Sequence, residues 1–391
     1  MKQWATGANN YWPTLNSNKT PSAQQKKSVV IVSSAHPWTD NRIHYREAAT
    51  LASAGHRVTL IAVETNNHVP AAPGVNVVRI RKRSRLARFT FGTCDAIIRA
   101  LRTRAQVFHL HDPELIPAIP FLRLIGKTVI YDAHEDLSSQ IVDKPYIPAK
   151  LAGLAVSGAK LLVSVSSMAD HVVAATEKIA ESYPTSKVRI VRNYPPLRVA
   201  DHKALAVSSR ASNVVYVGAL SDSRGIPQIV RAAELFPEGW NLVLAGHGAT
   251  PSYRGSLQNL TGWKRVIDHG VVSPDDARDL MLSARVGLVT LQKTAAYLDS
   301  LPTKMFEYMS AGIPIIASNF PLWRKIIETY DCGTLVDETD PVEIANAVQR
   351  YADDRDLLLL HGGNARRAAE DALNWGSQGR VLTDLYSKLQ G

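Results

Sequence analysis

Lys304 and Glu307 stand three residues apart in Ser300-Leu-Pro-Thr-Lys304-Met-Phe-Glu307, a spacing that puts a cation and a carboxylate on one face of a helix. Lys304 could take the charge of a phosphate. Glu307 could accept hydrogen bonds from sugar hydroxyls. A solvated ion pair would look the same on its own, but the setting argues for more. The pair follows an apolar run, Val286–Leu291, and precedes another, Ile313–Ala317, and both read as buried strands. Pro302 suits the first turn of a helix. Gly312 suits its end. In a parallel α/β sheet, ligands bind at the carboxyl edge, where helix N-termini offer free N–H groups.

Other polar groups recur at the ends of expected strands. Gly218-Ala-Leu-Ser-Asp-Ser-Arg224-Gly225 follows Val214–Val217. Its glycines permit close backbone approach, and Arg224 can fork onto phosphate oxygens. Gly246-His247-Gly248 follows Asn241–Ala245 and reads equally as a ligand loop or a plain glycine turn. Near the start, Asp40 suits a helix cap, and Asp40 and Arg42 also stand as candidates for a ligand cleft. His109-Leu-His111-Asp112-Pro-Glu114 and Asp132-Ala-His134-Glu135 close two more strands. A histidine at such an edge can orient a hydroxyl or accept a proton. Three histidines among carboxylates could also suggest a metal. Arg79, Arg81, Lys82, Arg83, Arg85 and Arg88 crowd one stretch, interleaved with Ile80, Leu86, Phe89 and Phe91. That pattern suits either a solvated face or docking on an anionic membrane, where each basic residue contributes ~1 kcal/mol.

These groups need a scaffold of alternating strands and helices. Strands are expected at Val29–Ser34, Arg57–Val63, Gln106–His111, Thr128–Asp132, Leu161–Ser166 and Val188–Arg192, with helices at His44–Gly55 and from Met168. After Pro195-Pro196 the pattern restarts at Val214–Val217, Asn241–Ala245, Val266–Asp268, Val286–Leu291, Ile313–Ala317 and Thr334–Val336. Helices Pro341–Ala352, Asp356–Leu373 and Gln378–Leu389 end the chain. The expected organisation is a polar tail at 1–28, a first domain at 29–196, a linker at 197–212, a second domain at 213–373 and a final helical segment at 374–391. Such alternation implies parallel sheets covered on both faces.

Composition sets the limits. A chain of 391 residues, 45% of them apolar, can build two cores. Cys94 and Cys332 fit neither a disulfide framework nor a zinc spacing, so a reducing cytosol is the expected compartment. The net charge of +10 favours anionic partners. No apolar run reaches the ~20 residues of a membrane span. The polar tail lacks a signal peptide's apolar segment. No nucleic-acid recognition motif is present. Neither half opens with G-x-G-x-x-G, which argues against a dehydrogenase.

Ala296–Pro314 resembles the donor-binding signature of the retaining GT-B glycosyltransferases of family 4, in which two carboxylates stand eight positions apart. Here the pair is Asp299 and Glu307. The family usually has Glu at the first position, so Asp299 is a departure. The resemblance implies two Rossmann-like domains facing across a cleft, with the last helix crossing back to the first domain. It implies that Gly218, Arg224, Gly225 and Lys304 hold a donor diphosphate, with Ser300 and Leu301 in the same loop. Glu307 would hold the ribose, and Gly246, His247 and Gly248 would lie near the base. Asp299 and His134 would border the reacting sugar. Asp40, Arg42, His111, Asp112 and Glu135 would face the acceptor. No metal or other cofactor is expected, because basic side chains take that role. The donor would be a UDP- or GDP-hexose and the acceptor a lipid-linked saccharide of a bacterial exopolysaccharide, capsule or O-antigen. Arg81, Lys82, Arg83 and Arg85 would dock the enzyme on the inner face of the cell membrane. A nucleotide-sugar epimerase of the same fold and a noncatalytic nucleotide- or membrane-binding protein are the rival readings.

Overall fold

The structure is a computed structural model that describes residues 26–65, 69–84, 87–134, 149–198 and 207–389. Glu135, Arg85, Leu86, most of the polar tail and part of the expected linker lie outside the described residues. The chain divides into two units, residues 1–196 with 375–391, and 197–374.

The first unit is built on a parallel sheet. Its strands are β1 (Ser28–Pro37), β2 (Arg57–Val63), β3 (Val75–Ile80), β4 (Val107–Leu110), β5 (Thr128–Ala133), β6 (His171–Ala174) and β7 (Val188–Ile190), in the order β3-β2-β1-β4-β5-β6-β7. A parallel sheet is covered on both faces, which is why β1 and β2 are almost continuously apolar. Alternate residues of β1 serve opposite cores. Val30 and Val32 pack with Phe108, Leu110, Ile116 and Ile119. Val29 and Ile31 pack with Leu60, Trp38, Leu382, Leu385 and Tyr386. The last three lie on the final helix, Trp375–Ser387, which therefore completes this unit. Trp375 Nε1 donates to Thr50 Oγ1 (2.8 Å), Arg192 N donates to Gln378 Oε1 (2.8 Å), and Tyr386 Oη pairs with His109 Nδ1 (3.0 Å).

The helix after β1 opens with a π-turn, Ile43–Ala48, before Ala49–Ser53. Glu47 N donates to Arg42 O at 2.9 Å, a five-residue span. Wider winding of this kind puts residues five apart on one side of the helix, so Arg42 and Glu47 both turn inward. Gly55 ends the segment at φ +91°.

Three expectations need correction. Leu161–Ser166 is not a strand but the end of the helix Ala149–Ser166, and no helix starts at Met168, where a turn leads into the strand His171–Ala174. A six-residue apolar run rich in Val fits either state when its upstream continuation is not weighed. Arg79 and Ile80, read only as part of a basic stretch, belong to β3.

The second unit has β8 (Asn213–Val217), β9 (Asn241–Ala245), β10 (Val266–Asp268), β11 (Val286–Val289), β12 (Ile315–Ser318) and β13 (Gly333–Val336), all parallel, in the order β10-β9-β8-β11-β12-β13. Helices Pro341–Asp353 and Arg355–Asp371 close it. In both units the order reverses beside the first strand, between β1 and β4 and between β8 and β11. That reversal is where the loops at the carboxyl edge diverge and leave room for a ligand.

Candidate functional site

The loop after β8 runs along the loop after β9. Gly218 N donates to Ala245 O (2.9 Å) and Leu220 N to His247 O (2.8 Å). At Gly246 a Cβ would fall 1.6 Å from Gly218 O, so only glycine fits. Gly225 has φ +72°, and a Cβ there would meet Thr290 O, just after β11, at 2.1 Å. The two loops flanking the reversal are thus in backbone contact through glycine. Gly225 starts the helix Ile226–Glu234, and Arg224 is the half-buried residue before it. His247 and Gly248 are exposed, with Gly248 at φ +91°.

From the other side comes the helix Thr303–Ser310, entered through Pro302. Trp323 Nε1 donates to Ser300 O (2.7 Å) and fixes the approach. Ser300 and Leu301 are half-buried there. Lys304 lies in the first turn and is 6% exposed. Its Nζ sits 3.7 Å from the centroid of the Tyr216 ring, and a Cβ on Gly218 would be 3.0 Å from it. Among the described residues that nitrogen has no hydrogen-bond partner and no ion pair. An aromatic face offers a cation ~0.5–2 kcal/mol. Removing an unpaired ammonium from water costs several kcal/mol. Burial therefore wins, and it holds Lys304 well below the usual lysine range; the Arg224 charge acts the same way, and Glu307 opposes. Tyr216 Oη donates to Ala219 O (2.8 Å), which keeps the ring under the loop.

Glu307 is half-buried one turn on. Its backbone carbonyl and Ser310 Oγ each take a bond from Arg278 Nη1 at 2.9 Å. Asp299 is exposed at the end of the short helix Ala295–Leu298. The structure thus brings Gly218, Arg224, Gly225, Lys304 and Glu307 to one edge of one unit. Sequence reasoning missed Tyr216. An aromatic residue next to last in the strand before a glycine loop was the available signal.

In the first unit a second polar cluster forms at the carboxyl edge. The Asp112 carboxylate is buried and accepts from Ser33 Oγ (2.8 Å), Ala35 N (3.1 Å), Ser34 N (2.5 Å) and His36 Nδ1 (2.8 Å). Burial opposes its charge, but these bonds, His36 foremost, bring its pKa down to about 2. The end of β1 is therefore wrapped around one carboxylate, and its register with β2 shifts between Val32 and Pro37. His134 Nδ1 lies 2.9 Å from Asp132 Oδ1, and its ring meets His36 edge-on with centroids 5.1 Å apart. His36 was not a candidate in the sequence, although it lies near the end of β1 beside a run of small residues.

Arg42, His111 and Asp112, expected on the acceptor side, are each at most 5% exposed and answer partners within the unit. Arg42 forks onto Asp132, with Nε to Oδ1 at 3.2 Å and Nη2 to Oδ2 at 2.7 Å, and stands 3.0 Å from Glu47 Oε1. Although burial disfavours its charge, this guanidinium holds Asp132 well below the usual carboxylate range. Burial first, and the Asp132 charge next, push Glu47 well above it. His111 Nε2 lies 3.4 Å from Glu47 Oε2. Asp40 is half-buried and accepts from Arg42 N (2.8 Å) and Ile43 N (2.9 Å), a helix cap. Ligand-type atoms of Glu47, His109 and His111, and of His111, Asp132 and His134, lie within 4.8 Å of one another. A guanidinium already stands between the two carboxylates, so these residues fit a cation-centred ion network better than a divalent ion.

In the basic stretch, Arg81, Lys82 and Arg83 are exposed. Arg79 instead stacks over Trp38 at 4.7 Å, and Arg88 pairs with Glu114. Phe89 and Phe91 are 51% and 69% exposed. Among the described residues no helix is long and apolar enough to cross a membrane.

The chain matches the family described as "Glycosyl transferases group 1" over residues 199–368 and "Glycosyl transferase 4-like domain" over residues 41–193. It is similar to an uncharacterized glycosyltransferase of Methanocaldococcus jannaschii, 25% identical over 187 residues, which are 47% of each chain. The chain thus spans about half the length of that relative. Among solved structures it is similar to sucrose-phosphate synthase from Thermosynechococcus elongatus (TM-score 0.70, 18% identity, 93% of this chain and 98% of that one). It is also similar to Anabaena HepE, solved with UDP and glucose (TM-score 0.67, 14% identity, 93% and 100%). Two parallel-sheet units of this order, with these structural neighbours, are those of the GT-B fold. Within that class the chain belongs to the group 1, GT4-like family.

Proposed function

We propose that this chain is a retaining glycosyltransferase that moves a hexose from a UDP- or GDP-sugar to a hydroxyl of a lipid-linked saccharide, in the assembly of a bacterial exopolysaccharide, capsule or O-antigen. The observation that carries the reading is Lys304. It is a buried amine with no partner among the described residues, set under a glycine loop beside Arg224 at the edge of the second unit. A group so placed calls for an anion, and a diphosphate supplies one. The UDP held by the similar HepE structure supports that choice.

In this mechanism the nucleoside diphosphate leaves from the face on which the acceptor hydroxyl enters. Arg224 and Lys304 neutralise the charge that grows on the leaving group, the largest electrostatic contribution available to the reaction. Glu307 takes the ribose hydroxyls, and Asp299 borders the hexose. In the first unit His134 is oriented through Nδ1 by Asp132, which leaves its other ring nitrogen to orient a hydroxyl or accept a proton. The reading requires no metal. The exposed residues Arg81, Lys82, Arg83, Phe89 and Phe91 would rest on the anionic inner face of the cell membrane.

A thermal-shift screen of UDP, GDP, UDP-glucose and GDP-mannose tests the donor assignment. At least one should raise the melting temperature, because a ligand bound at 100 times its Kd adds ~2.7 kcal/mol. No rise with any of the four would refute it.

A further inference from the structure

We propose that when the second unit binds a nucleoside diphosphate it takes up one proton from solvent, and that the proton is placed on Lys304 Nζ. The proposal rests on the donor reading above and adds to it a protonation step.

The argument starts from what surrounds the amine. Tyr216 on β8 presents its ring face at 3.7 Å. The Gly218 backbone covers another side. Tyr308, on the Lys304 helix, is fully buried and accepts from Val217 N at 3.0 Å. Burial pushes both the Tyr216 and Tyr308 phenols up, so neither supplies an anion. Among the described residues two charges face the amine. Arg224, from the turn after β8, repels an ammonium, and Glu307, one turn along the same helix, attracts it without pairing. Arg224 itself is drawn toward the Tyr297 ring, at 5.9 Å. Among the described residues no element packed on Lys304 brings it a counter-ion.

An amine in that setting is stored neutral. A bound diphosphate reverses the balance, because it brings negative charge to the same edge and gives Nζ oxygens to donate to. The amine takes a proton from the buffer, its lone pair becomes an N–H bond, and the resulting ammonium pairs with the diphosphate. The buffer acid's bond to that proton breaks as the N–H bond forms, leaving its conjugate base, and no bond of the nucleotide is broken. Affinity should then weaken about tenfold per pH unit wherever the empty site has lost this proton and the filled site keeps it.

Calorimetry of the full chain with UDP and with GDP, at pH 8.5 in Tris and in Bicine, counts the protons. At that pH the phosphates are fully ionised, since their last proton leaves near pH ~6. The difference in heat between the two buffers should correspond to about one proton taken up per nucleotide. Lys304→Met keeps an apolar chain of similar length and should reduce the uptake to near zero, with weaker binding. Lys304→Arg carries a charge that does not titrate and should bind with no uptake. Circular dichroism and melting confirm that each variant is folded. Binding by the parent chain with equal heats in both buffers would overturn the proposal while leaving the donor reading intact. An uptake that persists in both variants would move the proton to another group and equally overturn it. If neither nucleotide binds, the donor reading fails first, and this inference fails with it.

Discussion

Lys304, Glu307 and Asp299 make separable predictions. Lys304→Ala should lower turnover by ~10²-fold or more, the usual cost of one lost transition-state donor. Steady-state rates on folded protein check this, and near-parental turnover would remove Lys304 from the diphosphate site. Glu307→Ala should weaken free nucleotide and whole donor alike, whereas Asp299→Ala should spare the nucleotide and impair turnover. Equal losses of nucleotide affinity by calorimetry would contradict that split. The placement of the second unit's polar residues was readable in the sequence because it is local. Lys304 and Glu307 share one helix, and Arg224 sits in a short turn after a strand. The first unit was less readable because its polar residues answer one another over long separations. Arg42 meets Asp132 across 90 residues, and Asp112 meets Ser33 across 79. A sequence shows that Arg42 and Asp112 are polar; it does not show that each is consumed by the other side of a sheet.

At the scale of elements, alternation and glycine stops gave most strands of the second half to within two residues. β3 and the helix Ala149–Ser166 were missed for different reasons. β3 was hidden by its charged neighbours, and the helix ends in residues that also suit a strand. The final helix, expected to pack back on the first domain, is held there by buried contacts that can be tested singly. Tyr386→Phe removes the hydroxyl paired with His109 Nδ1 and should cost ~1–3 kcal/mol, the range for a buried polar group left without its partner. Trp375→Ala empties a core position and should cost ~3–5 kcal/mol. Urea unfolding of the first unit's transition measures both. Changes below ~0.5 kcal/mol would show that the helix adds little.

For the molecule as a whole, buried histidines make stability depend on pH. Burial brings His44 and His109 down to about 4. His44 Nε2 also accepts from Ala72 N at 3.0 Å, which requires its lone pair. The unfolded chain therefore binds more protons than the folded one between about pH 6.5 and 4. The contribution of the two histidines is fully present above that window and is lost as pH falls through it. Urea midpoints should drop across the window, and His109→Gln should flatten the slope by up to one proton. A midpoint constant from pH 7 to 4 would contradict the burial argument. The exposed basic stretch makes a second prediction. Binding to anionic vesicles should fade with salt, because the Debye length shrinks from ~10 Å at 0.1 M to ~3 Å at 1 M. It should also fall when Arg81, Lys82, Arg83 and Arg85 become Ser. Sedimentation showing undiminished binding by that variant would reduce the stretch to a solvated face.

The final helix also bears on the order in which the chain can be completed during synthesis. The first unit needs residues 375–391, yet the ribosome makes the whole of 197–374 before them. At ~5–20 residues per second, those intervening residues take roughly 9–36 s. During that interval the second unit, contiguous in the chain, can reach its final fold. The first cannot: the apolar surface of Val29, Ile31 and Leu60 lacks Leu382 and Leu385, and His109 lacks the Tyr386 hydroxyl. The part of the protein synthesised first is therefore the part finished last.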